Sequence, residues 1–88
     1  MIYSKIFLEV KKMYQRIRDT REDKDLTQKQ VSKLLNCTQQ TYSRYENGIN
    51  EIPIDRIAKL ALIFDTSIDY LVGITNIRKP YPRSKKIL

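Results

Sequence analysis

The stretch TQKQVSKLLNCTQQTYSRYEN, Thr27 to Asn47, decides the fold. It opens on Thr27 with Gln30 three residues later. At this spacing a threonine hydroxyl and a glutamine side chain each satisfy a backbone amide at a helix start. The pattern predicts a helix from Gln28 to Leu35 that buries Val31, Leu34 and Leu35. Asn36 follows where a tight turn needs a left-handed backbone, which asparagine tolerates better than any residue except glycine. Thr38 then caps a second helix with Tyr42 and Tyr45 on its inner side, ending at Asn47 and the glycine stop Gly48. Two short helices joined by a three-residue turn leave room only for a roughly perpendicular pair.

Upstream, a helix is predicted from Tyr14 to about Lys24, with Ile17 and Thr20 inward and Arg16, Arg18, Asp19, Glu22 and Asp23 outward. Ile6, Val10 and Met13 continue the spacing, so that helix begins earlier or the stretch Ile2 to Val10 forms a strand or loose extension; both readings stay open. Downstream, Pro53 introduces a helix from Ile54 to Phe64 with Ile57, Leu60, Ala61 and Phe64 on its apolar stripe. Asp65 and Thr66 break it, Ser67 caps a fifth helix from Ile68 to Val72, and Gly73 stops that one. The expectation is an all-α, five-helix domain over residues 14–75, with an N-terminal extension (1–13) and a basic, flexible tail (76–88).

At 88 residues the chain supports one core. It has no run of about twenty apolar residues to span a bilayer and no secretory leader pattern, so no membrane association is expected and the cytoplasm is the default. With Cys37 as the single cysteine and no histidine, no disulfide framework, metal cluster, cofactor or nucleophile-and-base constellation is expected. Catalysis is not anticipated. The net charge of +7 points to a polyanionic partner, yet residues 1–75 hold 12 bases against 10 acids. The excess lies in the tail, at Arg78, Lys79, Arg83, Lys85 and Lys86. More telling is the window Leu26 to Tyr45, which contains no acid and carries Lys29, Lys33 and Arg44.

The run TQKQVSKLLNCTQQTYSRYENG, followed by IPIDRIAKLALIFDTSIDYLVG, resembles the Cro/C1-type helix-turn-helix repressors of bacteria and phages, the XRE family. The resemblance covers Tyr14 to Thr75. It is specific because Thr-Gln opening the second helix, a polar run opening the third, Glu-Asn-Gly ending it and the closing Ser-Ile-Asp-Tyr-Leu-Val-Gly coincide at fixed offsets. It implies that the third helix reads bases while the second braces the backbone. Gln28 then corresponds to a phosphate-bonding glutamine that also props the reading helix. Gln39, Gln40 and Arg44 correspond to base-touching positions, and Arg21 and Glu46 to a salt bridge between the first and third helices. Ser32 stands where a small alanine is usual and Asn36 where glycine is usual; both substitutes are compatible with the turn.

The chemistry agrees with those roles. A glutamine amide both donates to and accepts from adenine, and the planar fork of arginine suits guanine. Thr41 and Ser43 can supplement these contacts, and Gln28, Lys29, Thr38, Asn47 and amides of the 48–52 loop are the expected phosphate partners. Tyr42 and Tyr45 are expected in the core rather than stacked on bases, and Cys37 as a buried, inert thiol. Arg21 and Glu46 could instead be independent surface charges, and the tail could serve as a phosphate-contacting arm instead of a solvated segment. The anticipated partner is double-stranded DNA, bound by a homodimer acting as a repressor. The dimer surface is either the fifth helix with Ile74 and Ile77 or the stretch Ile2 to Val10. The alternative is an antitoxin whose extension or tail clamps a toxin while the helix-turn-helix autoregulates its operon.

Overall fold

A computed structural model describes residues 14–84. The described part of α1 covers residues 14–23. It is followed by α2 (Gln28–Leu34), α3 (Gln39–Glu46), α4 (Ile54–Ile63) and α5 (Ile68–Leu71). No strand occurs among the described residues. The apolar extension Ile2 to Val10, on which one dimer reading and the toxin-clamping reading draw, lies outside them.

Three helices start on a side-chain cap. The Thr27 hydroxyl accepts from the Gln30 amide while Gln30 reaches back to the Thr27 amide, Thr38 accepts from the Thr41 amide, and Ser67 accepts from the Tyr70 amide. The helices also end alike. Asp25, Asn36, Gly48, Asp65 and Gly73 all take positive φ, between 54° and 85°. At each, the next residue's amide donates five residues back, as Cys37 does to the Ser32 carbonyl at 3.0 Å and Thr66 to the Ala61 carbonyl at 2.9 Å. This six-to-one bond closes the last turn and satisfies carbonyls that a helix end otherwise leaves open. Two of the five sites use aspartate, which visits the left-handed region less readily than glycine but more readily than most residues.

The core is formed by Ile17, Val31, Leu35, Tyr42, Tyr45, Ile57, Leu60, Ala61, Phe64 and Leu71. Leu34, expected inside, is 58% exposed. The buried stripe of α2 runs through Val31, Ser32 and Leu35, which turns Leu34 outward. Ser32 is tolerated inside because its hydroxyl donates to the Lys29 carbonyl at 2.8 Å. Cys37, also expected to be buried, is half-buried at the edge of the core.

The segment after α5 departs from the loose tail expected of it. Residues 76–84 fold back as a strap over α1, α4 and α5. The Thr66 hydroxyl donates to the Arg78 carbonyl at 2.6 Å, Arg78 pairs with Asp23 at 2.7 Å, and Tyr81 donates to Asp69 at 3.0 Å. Arg83 reaches the carbonyls of Thr66 at 3.0 Å and Ala61 at 3.4 Å. From α1, Arg16 donates to the carbonyls of Tyr70 and Thr75, and the guanidinium carbons of both Arg16 and Arg78 lie over the Tyr70 ring, 4.4 and 5.4 Å from its centroid. Two of the tail's bases, Arg78 and Arg83, are thus engaged with the fold itself.

Gly48 and Gly73 share the left-handed conformation but differ in surroundings. A Cβ on Gly48 would lie 2.9 Å from Tyr14 Cδ2, whereas one on Gly73 would meet nothing within 4 Å. Gly73→Ala is therefore expected to cost about 1 to 2 kcal/mol from backbone strain alone. Gly48→Ala should cost more, because Tyr14 must also move. Urea denaturation of the two variants checks the order, and equal losses would contradict it.

Candidate DNA interface

α3 divides into two sides. Tyr42, Tyr45 and Glu46 are buried at 0%, 4% and 5% exposure, while Gln39, Gln40, Arg44 and Asn47 are exposed. Gln40 and Arg44 lie one turn apart, so their side chains project together from the outer surface. Among the described residues, the side chains of Gln39, Gln40 and Arg44 make no hydrogen bond to the fold, which leaves their donors and acceptors open to an incoming ligand.

The other sequence-derived positions are more constrained. Thr38 and Thr41 are joined, the Thr38 hydroxyl donating to that of Thr41 at 2.8 Å while accepting from the Thr41 amide at 3.1 Å. Thr41 and Ser43 are half-buried, and Ser43 Oγ accepts from Asn47 Nδ2 at 3.4 Å. Both hydroxyls accept in these contacts, so each keeps its own O–H hydrogen for an external acceptor. Lys29 is fully on the outside of α2. Gln28 is half-buried, and its Nε2 donates to Glu46 Oε1 at 3.1 Å, leaving the second amide hydrogen for an external acceptor.

Glu46 is the joint between the three N-terminal helices. Arg21 of α1 grips it with both arms, Nε to Oε2 at 2.6 Å and Nη2 to Oε1 at 3.2 Å, and passes Nη1 to the Leu26 carbonyl at 2.8 Å. The Glu46 side chain is 0% exposed and that of Arg21 10%. Burial by itself would raise the Glu46 pKa, but the polar groups around it, Arg21 foremost with Tyr42 and Gln28 beside it, outweigh burial and hold the carboxyl below its usual value. The hydrogen bond to Glu46 raises the Arg21 pKa in turn. The Tyr42 hydroxyl is buried close to this pair without a hydrogen bond of normal geometry, and burial drives its pKa far upward. The consequence for a polyanion is direct. The acid that ends α3 is turned inward and neutralised, so the exposed side of the helix-turn-helix presents no carboxylate from α2 or α3.

Two arginines near this joint make contacts that the sequence does not show. Arg56 of α4 donates to the Tyr45 hydroxyl and packs against its ring, holding the rear of α3 in place. Arg18 of α1 lies 3.7 Å from Glu46 Oε1. No spacing rule reports the contact of Arg56 with Tyr45 or that of Arg18 with Glu46, since both run between helices. Among the described residues no His/Cys/Asp/Glu cluster could hold a metal ion, and no helix is long and apolar enough to cross a membrane.

Comparison with known proteins bears on the family. A helix-turn-helix family model matches residues 17–71, α1 through α5. The chain is 30% identical over 73 residues to the uncharacterized HTH-type transcriptional regulator YobD of Bacillus subtilis, covering 83% of this chain and 65% of that protein. It is 30% identical over 64 residues to the HTH-type transcriptional regulator ImmR (73% of this chain, 50% of that one) and 29% over 69 residues to AnsR (78% and 60%), both also of Bacillus subtilis. The chain thus spans about half to two thirds of the length of these curated relatives. No solved structure matches it. With its helix-turn-helix at α2 and α3 and the family match running through all five helices, the chain belongs to the Cro/C1-type (XRE) family of DNA-binding transcriptional regulators.

Proposed function

We propose that the chain is a sequence-specific repressor that binds a palindromic operator as a dimer and reads the major groove with α3. The observation that carries this reading is the two-sided character of α3, with Tyr42 and Tyr45 anchored in the core and Gln39, Gln40 and Arg44 exposed and uncommitted. On this reading Gln39 and Gln40 contact adenine edges and Arg44 a guanine, with Thr41 and Ser43 in support. Gln28, Lys29, Thr38 and Asn47 fix the register through phosphates. The relatives' names as transcriptional regulators support the regulatory part of this reading.

One reading helix covers only a few base pairs, which is the physical reason for a dimer. We place its contact at α5 and the turn behind it, where Ile74 and Ile77 are 75% and 68% exposed. Selecting bound duplexes from a random pool tests both parts together. A palindrome with half-sites about 10 base pairs apart centre to centre is the expected result. Enrichment of a single unrepeated half-site would remove the dimer, and no enrichment would remove sequence-specific reading.

A further inference from the structure

We propose that Arg18 is a phosphate-contacting residue of the DNA interface, tethered between Glu22 and Glu46 in the free protein and transferred to the duplex backbone on binding. The assignment rests on the DNA-binding reading above. Arg18 Nε lies 3.7 Å from Glu46 Oε1 and 3.9 Å from Glu22 Oε1, too far in both cases for a hydrogen bond. No side-chain hydrogen bond from Arg18 occurs among the described residues, and its side chain is 47% exposed. Its five donors are therefore unfilled, and both of its ion pairs are long.

Position makes this cation relevant. Gln28 Nε2 donates to the same Glu46 oxygen that Arg18 approaches, so the two side chains are immediate neighbours at the junction of α1, α2 and α3. Glu46 does not need Arg18, because Arg21 already engages both of its oxygens. What restrains Arg18 is Glu22, one turn further along α1 and 59% exposed, which also lies 3.8 Å from Arg21. A phosphate held by Gln28 would compete with Glu22 for Arg18, and the planar guanidinium suits a phosphate with two parallel hydrogen bonds. An exposed i,i+4 pair contributes only about 0.3 to 0.5 kcal/mol, so it opposes the exchange weakly.

The test is a salt titration with a random-sequence duplex of about 20 base pairs, its affinity read by fluorescence anisotropy for the full chain and for Arg18→Gln, Glu22→Gln and the double variant. Neutralising one phosphate contributes about 0.9 to the slope of log affinity against log salt. Arg18→Gln should lower the slope by that amount, so the wild-type advantage shrinks about three- to fourfold between about 50 and about 200 mM salt. Glu22→Gln should tighten binding, and the gain should vanish when Arg18 is also glutamine. Lys79→Gln, the same charge loss on an exposed lysine of the strap, should leave the slope unchanged. Wild-type slope in Arg18→Gln, a Glu22→Gln gain that survives in the double variant, or an equal slope change in Lys79→Gln would each overturn the assignment while leaving DNA binding intact. A wild-type protein that binds no duplex overturns the DNA reading and this assignment with it.

Discussion

Glu46→Ala is expected to destabilise the fold by about 3 to 5 kcal/mol, because it strands the Arg21 guanidinium in a site with almost no access to water. A domain of this size has only about 5 to 15 kcal/mol in total, so the variant should melt far below the wild type. The loss belongs to the uncompensated charge more than to the strength of the pair. A Glu46→Ala variant with an unchanged urea midpoint would show that Arg21 finds water or another partner. The same joint predicts an acid response. The folded-state pKa of Glu46 lies below its usual value of 4.5, so the folded protein holds this proton less tightly than the unfolded chain does. The stabilisation is fully present above about pH 4.5 and is lost as pH falls through the lower folded-state value. Glu46→Gln should lack this component of the acid transition. An acid-unfolding profile of the same slope in both proteins would assign the transition to other carboxylates.

Arg44→Ala is expected to act on recognition and not on folding. If Arg44 makes a bidentate contact to guanine, its loss should reduce discrimination at one base pair by about 1 to 3 kcal/mol, roughly a factor of 5 to 150. Lys29→Ala should instead weaken matched and mismatched duplexes alike, since a phosphate contact carries no base information. Titrating both variants on the selected duplex and on single-base mismatches separates the two. Equal losses on matched and mismatched duplexes for Arg44→Ala would show that its charge serves the backbone only.

What could be read from the chain was what is encoded locally. Thr27, Thr38 and Ser67 announce helix starts because a cap joins residues three apart, and Asn36, Gly48 and Gly73 announce stops because few residues accept a left-handed backbone. Asp25 takes the same role without being conspicuous, since an aspartate followed by leucine is common in many settings. Leu34 misled because two adjacent leucines satisfy the apolar pattern equally, and only packing decides which turns inward. The pairing of Arg21 with Glu46 was suggested by family resemblance; no spacing rule links residues 25 positions apart. The contacts of Arg18 with Glu46 and of Arg56 with Tyr45, and the strap, are invisible for the same reason. Each depends on which helix end meets which, and the strap's prolines and bases have the composition of a solvated tail.

The helix that faces outward is held by one set of residues and equipped by another. Tyr42, Tyr45 and Glu46 bind α3 to the rest of the fold, whereas Gln39, Gln40 and Arg44 have no side-chain hydrogen bond among the described residues. Exchanges at such surface positions usually change stability by no more than about 0.5 kcal/mol. Residues 39, 40 and 44 can therefore be randomised together in a library whose members nearly all fold. The scaffold is in that sense a socket: if these three positions read bases as proposed, the target sequence can be reprogrammed in the laboratory without renegotiating the core.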